Sequence, residues 1–116
     1  MNILFICSQN RLRSPTAEQL YSCTPGLNVA SAGLNNDATI RVTPELLEWS
    51  DRVFVMENNH RNRLSKRFRE YLQNIPVTCL DIPDDFDFMD PILLSILEEK
   101  LTPFLGRPTK PAVNDG

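Results

Sequence analysis

Four short apolar stretches recur along the chain, and each is followed by residues carrying a helical signature. The first is Ile3-Leu4-Phe5-Ile6, within residues 2 to 6. The second is "LNVASAG" at 27 to 33, closed by Gly33; the third is Val53-Phe54-Val55-Met56, within 51 to 57; the fourth is "IPVTCLDI" at 75 to 82. Between them, Ser14 and Pro15 with Glu18 close behind predict a capped helix over 15 to 23. Thr43 and Pro44 predict a short one over 43 to 50. Leu64, Phe68, Tyr71 and Leu72 form one buried stripe over 58 to 72. Ile92, Leu93, Ile96, Leu97, Leu101 and Phe104 form another over 90 to 105, with Pro103 expected to fray its end. Most of these strands read as continuous apolar runs, which must be covered on both faces. Alternated with helices, they predict an α/β fold with a parallel sheet.

In such a sheet, ligands bind beyond the carboxyl ends of the strands. The first strand ends at Cys7, and Cys7 opens the sequence Cys7-Ser8-Gln9-Asn10-Arg11-Leu12-Arg13-Ser14. A thiol, five residues, an arginine and a serine on a strand-to-helix loop suit the capture of an oxyanion. Successive backbone N–H groups curl around the anion, and the helix start adds its positive end. Arg13 can grip two oxygens with its planar fork. The same surroundings favour the thiolate, the reactive form of cysteine, and Ser14 can donate to it. Sulfur beneath a held phosphate can then attack phosphorus. Ser8, Gln9, Asn10, Arg11, Leu12, Arg13 and Ser14 are accordingly the candidate phosphate-binding residues. Such a reaction needs an acid for the leaving group. The stretch "CLDIPDDFDFMDP" offers Asp81, Asp84, Asp85, Asp87 and Asp90.

The bulk numbers narrow the classes. At 116 residues there is room for one core. A net charge of −3 provides no general attraction for nucleic acid or anionic membrane, so phosphate chemistry must use local cations. No stretch reads as a membrane span, and no signal peptide is read at the N-terminus. Three cysteines leave at least one thiol free, which fits a reducing cytoplasm. Residues 106 to 116 have little apolar content and are expected to form a disordered tail after a domain spanning 1 to 105.

Taken together, the motif Cys-x5-Arg-Ser-Pro from Cys7 to Pro15, its continuation "SPTAE", "VASAG" at 29 to 33 and "TPELLEWSDRVFVME" resemble the low-molecular-weight protein tyrosine phosphatase family. The resemblance runs from residue 2 to about residue 104. It implies a single-domain three-layer sandwich, with a four-stranded parallel sheet in the order 2-1-3-4 and helices on both faces. It implies Cys7 as nucleophile, Arg13 as phosphate-binding arginine, Ser14 as the hydroxyl that stabilises the thiolate, and Asn10 as the brace of the loop. The family's acid loop aligns with Ile82-Pro83-Asp84-Asp85-Phe86, which puts Asp84 in the place of the general acid. No metal and no cofactor is required, because the loop and Arg13 stabilise the charge. The implied partner is a phosphorylated protein or a small phosphate ester, not nucleic acid or membrane.

The sequence departs from the family at four places. Gln9 replaces a usual glycine, which would strain or reshape the loop. Leu12 replaces a second cysteine common in the family, Asp85 and Phe86 replace a proline and a tyrosine, and "LNNDATIRV" is too brief for the usual aromatic wall. Two other functions use the same parts: an arsenate reductase relaying a disulfide through further cysteines, and a non-catalytic phosphate-binding module. Cys23 and Cys79 read as buried small hydrophobes. His60 reads as a surface residue at a helix start, Arg11 as pointing to solvent or substrate, and Trp49 as packing. "HRNRLSKRFRE" reads as a solvated basic helix face.

Overall fold

The structure, a computed structural model, describes residues 1–109. Part of the tail expected over 106 to 116 therefore lies outside the described residues. The elements are β1 (Asn2–Cys7), α1 (Arg13–Tyr21), β2 (Asn28–Gly33), α2 (Pro44–Trp49), β3 (Arg52–Val55), α3 (Asn58–Phe68), a 3₁₀ turn (Arg69–Tyr71), β4 (Val77–Cys79) and α4 (Pro91–Leu105). The sheet is parallel throughout, in the order β2-β1-β3-β4, as expected.

The two central strands, β1 from Ile3 and β3 from Val53, are apolar and buried because both their faces are covered, while the edge strands β2 and β4 are only partly buried. Ile3 and Phe5 of β1 point to one side and Leu4 and Ile6 to the other, the two-residue period of a strand. On the first side they meet Ala17 and Tyr21 of α1 and Leu93, Leu97 and Leu101 of α4. On the second they meet Leu47 of α2 and Leu64 of α3. Phe5 stacks on Phe54 of β3, with ring centroids 5.8 Å apart. Burial of each such side chain stabilises the fold by about 1.5–3 kcal/mol. The sheet registers Cys7 opposite Gly33 and Ile6 opposite Val55. β1 leads to β2 on one side, and the chain then crosses to β3 on the other, so the topological switch point lies at the carboxyl ends of β1 and β3.

Several boundaries differ from expectation. The first helix begins at Arg13, with Leu12 rather than Ser14 at the N-cap position and no side-chain cap. Ser14 sits inside the helix because its hydroxyl is directed inward, towards the sulfur. The third helix tightens into a 3₁₀ turn after Phe68, which leaves Tyr71 36% exposed rather than in the buried stripe. α4 continues through Pro103 to Leu105 without fraying there; it ends at Gly106, whose φ of 78° suits glycine and whose N–H reaches Thr102 O. Thr43 caps α2 as expected, accepting from Leu46 N. Beyond Cys79 the ladder persists: Leu80 N donates to Val55 O and Ile82 N to Met56 O, both at 2.8 Å. The chain is thereby led past the end of β3 and delivered above the first loop.

Candidate active site

A cavity of about 250 Å³ opens at the carboxyl ends of β1 and β3. It is lined by Cys7, Ser8, Gln9, Arg11, Leu12, Arg13, Asn35 and Asp84. Cys7 lies at its base, 3% exposed. Two groups approach the sulfur: Ser14 Oγ at 2.9 Å and the Asn10 N–H at 3.2 Å. Asn10 donates one amide hydrogen to Ser14 Oγ (3.0 Å) and the other to Ser31 Oγ (2.8 Å), and Ser31 donates onward to Glu18 Oε1. Because Ser14 Oγ accepts from Asn10, its own hydrogen is shared between the nearer sulfur, at 2.9 Å, and Ala32 O, at 3.5 Å. Both donors on Sγ would bind a thiolate more strongly than a thiol.

Asn10 makes this network by adopting a left-handed conformation, φ 55°, which asparagine tolerates better than most residues. Gln9 is not among the positive-φ residues, so the expected strain at that position is not found there. The loop instead presses on Gly33. A Cβ there would stand 2.6 Å from Ser8 O and 2.9 Å from Asn10 N, closer than real contacts allow. The segment 34 to 42, too short for an aromatic wall, braces the loop. Leu34 N, Asn35 N and Thr39 N donate to the carbonyls of Cys7, Ser8 and Gln9. Among the described residues, no aromatic ring lines the cavity.

Arg13 is 2% exposed. Its Nη1 donates to Glu57 Oε2 and to Ile82 O, both at 2.7 Å, and its Nε stands 3.6 Å from Asp84 Oδ1. Nε and Nη2 make no hydrogen bond among the described residues, which leaves an edge of the fork for an oxyanion. Of the five candidate aspartates, Asp84 alone lines the cavity, with its side chain 62% exposed. Asp90 caps α4 through Ile92 N instead.

Reasoning from the sequence missed Glu57 and misplaced His60. His60 is fully buried, not a surface residue. The Glu57 N–H donates to its Nδ1 (3.1 Å), so the neutral ring carries its hydrogen on Nε2 and donates it to Ser8 Oγ at 2.9 Å. Burial, reinforced by the Arg13 guanidinium, pushes the His60 pKa down from 6.5 to about 4. The position of Glu57 was the available signal: it follows the third apolar run, at the strand end adjoining β1. Cys23 is exposed in the turn after α1, contrary to expectation. Cys79 is half-buried on β4, and neither lines the cavity. Trp49, 36% exposed, is also away from it. Among the described residues no cluster of three or more His, Cys, Asp or Glu could hold a metal, and no helix is long and apolar enough to cross a membrane.

No family model matches the chain. A curated relative, the protein-arginine-phosphatase of Bacillus subtilis (strain 168), is 28% identical, with the match covering 65% of this chain and 68% of that protein. Among solved structures, a YwlE arginine phosphatase variant with a phosphorylated active-site serine superposes with a TM-score of 0.69 at 25% identity, covering 87% of this chain and 91% of that one. Wzb of Vibrio vulnificus, in complex with benzylphosphonate, gives 0.73 at 22% identity, over 90% and 96%; that likeness speaks for the fold. The structural neighbours are low-molecular-weight protein tyrosine phosphatases, and the curated relative is a phosphatase of the same family, so the resemblance read from the sequence is borne out.

Proposed function

We propose that the chain is a cysteine-dependent phosphatase that hydrolyses phosphomonoesters, protein phosphotyrosine or small aryl phosphates, through a cysteinyl-phosphate intermediate. The observation that carries this reading is the convergence of Cys7 Sγ, the unengaged edge of Arg13 and the Asp84 carboxyl on one cavity. The loop N–H groups and Arg13 hold the three non-bridging oxygens. Cys7 thiolate forms the S–P bond as the bond to the leaving oxygen breaks, and Asp84, as the acid, gives that oxygen its proton. Water then attacks phosphorus and yields its proton to the Asp84 carboxylate. The S–P bond breaks, and phosphate and thiolate are released. Charge is met by Arg13 and N–H groups throughout, so no step calls on a metal.

A second reading, hydrolysis of phosphoarginine, is favoured by the relative described as a protein-arginine-phosphatase. Rates on a phosphotyrosine peptide and a phosphoarginine peptide separate the two. The experiment for the shared chemistry is rapid-quench hydrolysis of an aryl phosphate in the presence of EDTA. A burst of leaving group is expected, with the phosphoryl group trapped on Cys7, and Cys7→Ser is expected to lower turnover by at least about 10⁴-fold. Full turnover in Cys7→Ser, or loss of turnover on chelation, would reject the mechanism. Arsenate-dependent turnover coupled to thioredoxin would replace it with the redox alternative. Oxyanion binding with no burst would replace it with the non-catalytic one.

A further inference from the structure

Four arginines from three segments, the loop after β1 (Arg11), the stretch after the turn (Arg41) and α3 (Arg63 and Arg67), converge on the turn at residues 34 to 37, beside the cavity. Arg67 donates to Leu34 O (2.7 Å), Arg63 to Asn35 Oδ1 (2.9 Å), Arg41 to Asn36 Oδ1 (3.3 Å) and Arg11 to Asp37 O (3.1 Å). Every acceptor is neutral. None of the four has a carboxylate within ion-pair distance among the described residues, where the only such pairs involve Arg13 and His60. Clustered guanidinium groups repel one another, and a chain with a net charge of −3 has acids to spare for them. Among the described residues, Asp37 is the only carboxylate lining the depression that Arg63 and Arg67 share with Leu34, Asn35 and Asn36. That depression adjoins the cavity above Cys7: Asn35 lines both, and its N–H is anchored on Ser8 O.

We infer that this turn is a second anion subsite, which selects phosphorylated peptides carrying an acidic side chain close to the phosphorylated residue. The inference rests on the phosphatase reading above. The cavity offers a leaving group no aromatic ring to stack on, whereas one side of its rim offers unneutralised cations. Each guanidinium has five N–H donors and uses few of them on the turn, so a substrate carboxylate can be gripped without dismantling the loop.

The test compares two phosphotyrosine peptides that differ only in Glu or Gln at the positions flanking the phosphotyrosine. The wild type is expected to favour the Glu peptide about five- to tenfold in kcat/KM at 50 mM salt, and by much less at 500 mM, since exposed pairs are screened. In Arg63→Gln/Arg67→Gln the ratio is expected to fall to about one. Arg63→Lys/Arg67→Lys keeps part of it, and Arg69→Gln, outside the turn, keeps it all. The same ratio is read without turnover as binding of the two peptides to Cys7→Ser. Failure of hydrolysis with the ratio intact in binding would refute the phosphatase reading and keep the subsite. Equal binding and equal rates for the two peptides, or a preference that survives in the double Gln variant, would overturn the subsite.

Discussion

The two loops that supply the cavity are built on opposite principles. In the loop after β1, Cys7, Asn10, Arg13 and Ser14 are each at most 4% exposed. They are tied by a chain of hydrogen bonds that runs from Sγ through Ser14, Asn10 and Ser31 to Glu18. In the loop after β4, Asp84 is 62% exposed and Phe88 52%. That loop is held chiefly at its ends: Ile82 is fully buried beside Phe86, and Met89 N donates to Thr16 Oγ1 at 2.9 Å. Two non-glycine residues near those ends, Asp81 and Met89, adopt φ of 55° and 61°. Such positions cost about 1 kcal/mol or more and are kept where surrounding contacts over-determine them. A nucleophile and its anion cradle gain from rigidity, because misplacement costs rate directly. An acid that must meet varied leaving groups, and let product out, gains from being loosely held.

The largest test of this contrast is Asp84→Asn. An exposed carboxylate carries little of the fold, so the melting temperature is expected to move by no more than a degree or two. Loss of the general acid proposed above, by contrast, should lower kcat by about 10²–10⁴-fold. Steady-state rates and thermal melts of the same preparation check both. A loss below tenfold would shift the role to Asp81, Asp85 or Asp87, and a large fall in stability would show that the acid loop is not the loosely held partner.

A smaller effect separates the loops by pH. His60 fixes Ser8 of the first loop and has no counterpart in the second. Its folded pKa, about 4, lies below its ordinary 6.5, so between these values the unfolded chain binds the proton more readily. Stability from this group is therefore complete above pH 6.5, falls as the pH drops through that window, and levels off near pH 4. The full loss is about 3 kcal/mol. Denaturant titrations from pH 7 to 4 should show the decline in the wild type, and a shallower one in His60→Gln. Equal slopes would mean that the buried ring does not govern acid sensitivity.

The sequence was most legible where one side chain faces one environment. Ile3 to Ile6 could only be a strand covered on both sides, and Cys7 to Pro15 carries its chemistry within a single segment. It was least legible where partners come from distant segments. Glu57 and Ile82 O hold Arg13 across separations of 44 and 69 residues. His60 carries no mark of burial until Ser8 and the Glu57 N–H are brought to its two nitrogens. Ser14 reads as a helix cap from its neighbours alone, and only the nearness of Sγ turns it inward. The brevity of the segment after Gly33 was visible, but not its consequence. The segment folds back to brace the first loop, and besides its own Arg41 it carries acceptors for three arginines, Arg11, Arg63 and Arg67, that local sequence does not connect.

The smallest effect tests the hinge of the acid loop. Thr16 lies on α1, within the rigid half, and its hydroxyl donates to Leu12 O (2.6 Å) while accepting from Met89 N. It is thus one of the few polar ties between the two loops. Thr16→Val keeps the shape and removes the acceptor, leaving the Met89 N–H to find water at a cost of about 1 kcal/mol. If the two loops are independent units joined there, amide exchange should quicken across residues 83 to 90 by about fivefold and stay unchanged at Asn10. The value of kcat should fall only about threefold, because the acid still reaches the cavity for part of the time. Exchange that quickened equally in both loops would mean that they open together, and the contrast between a fixed cradle and a mobile acid would give way to a single cooperative site.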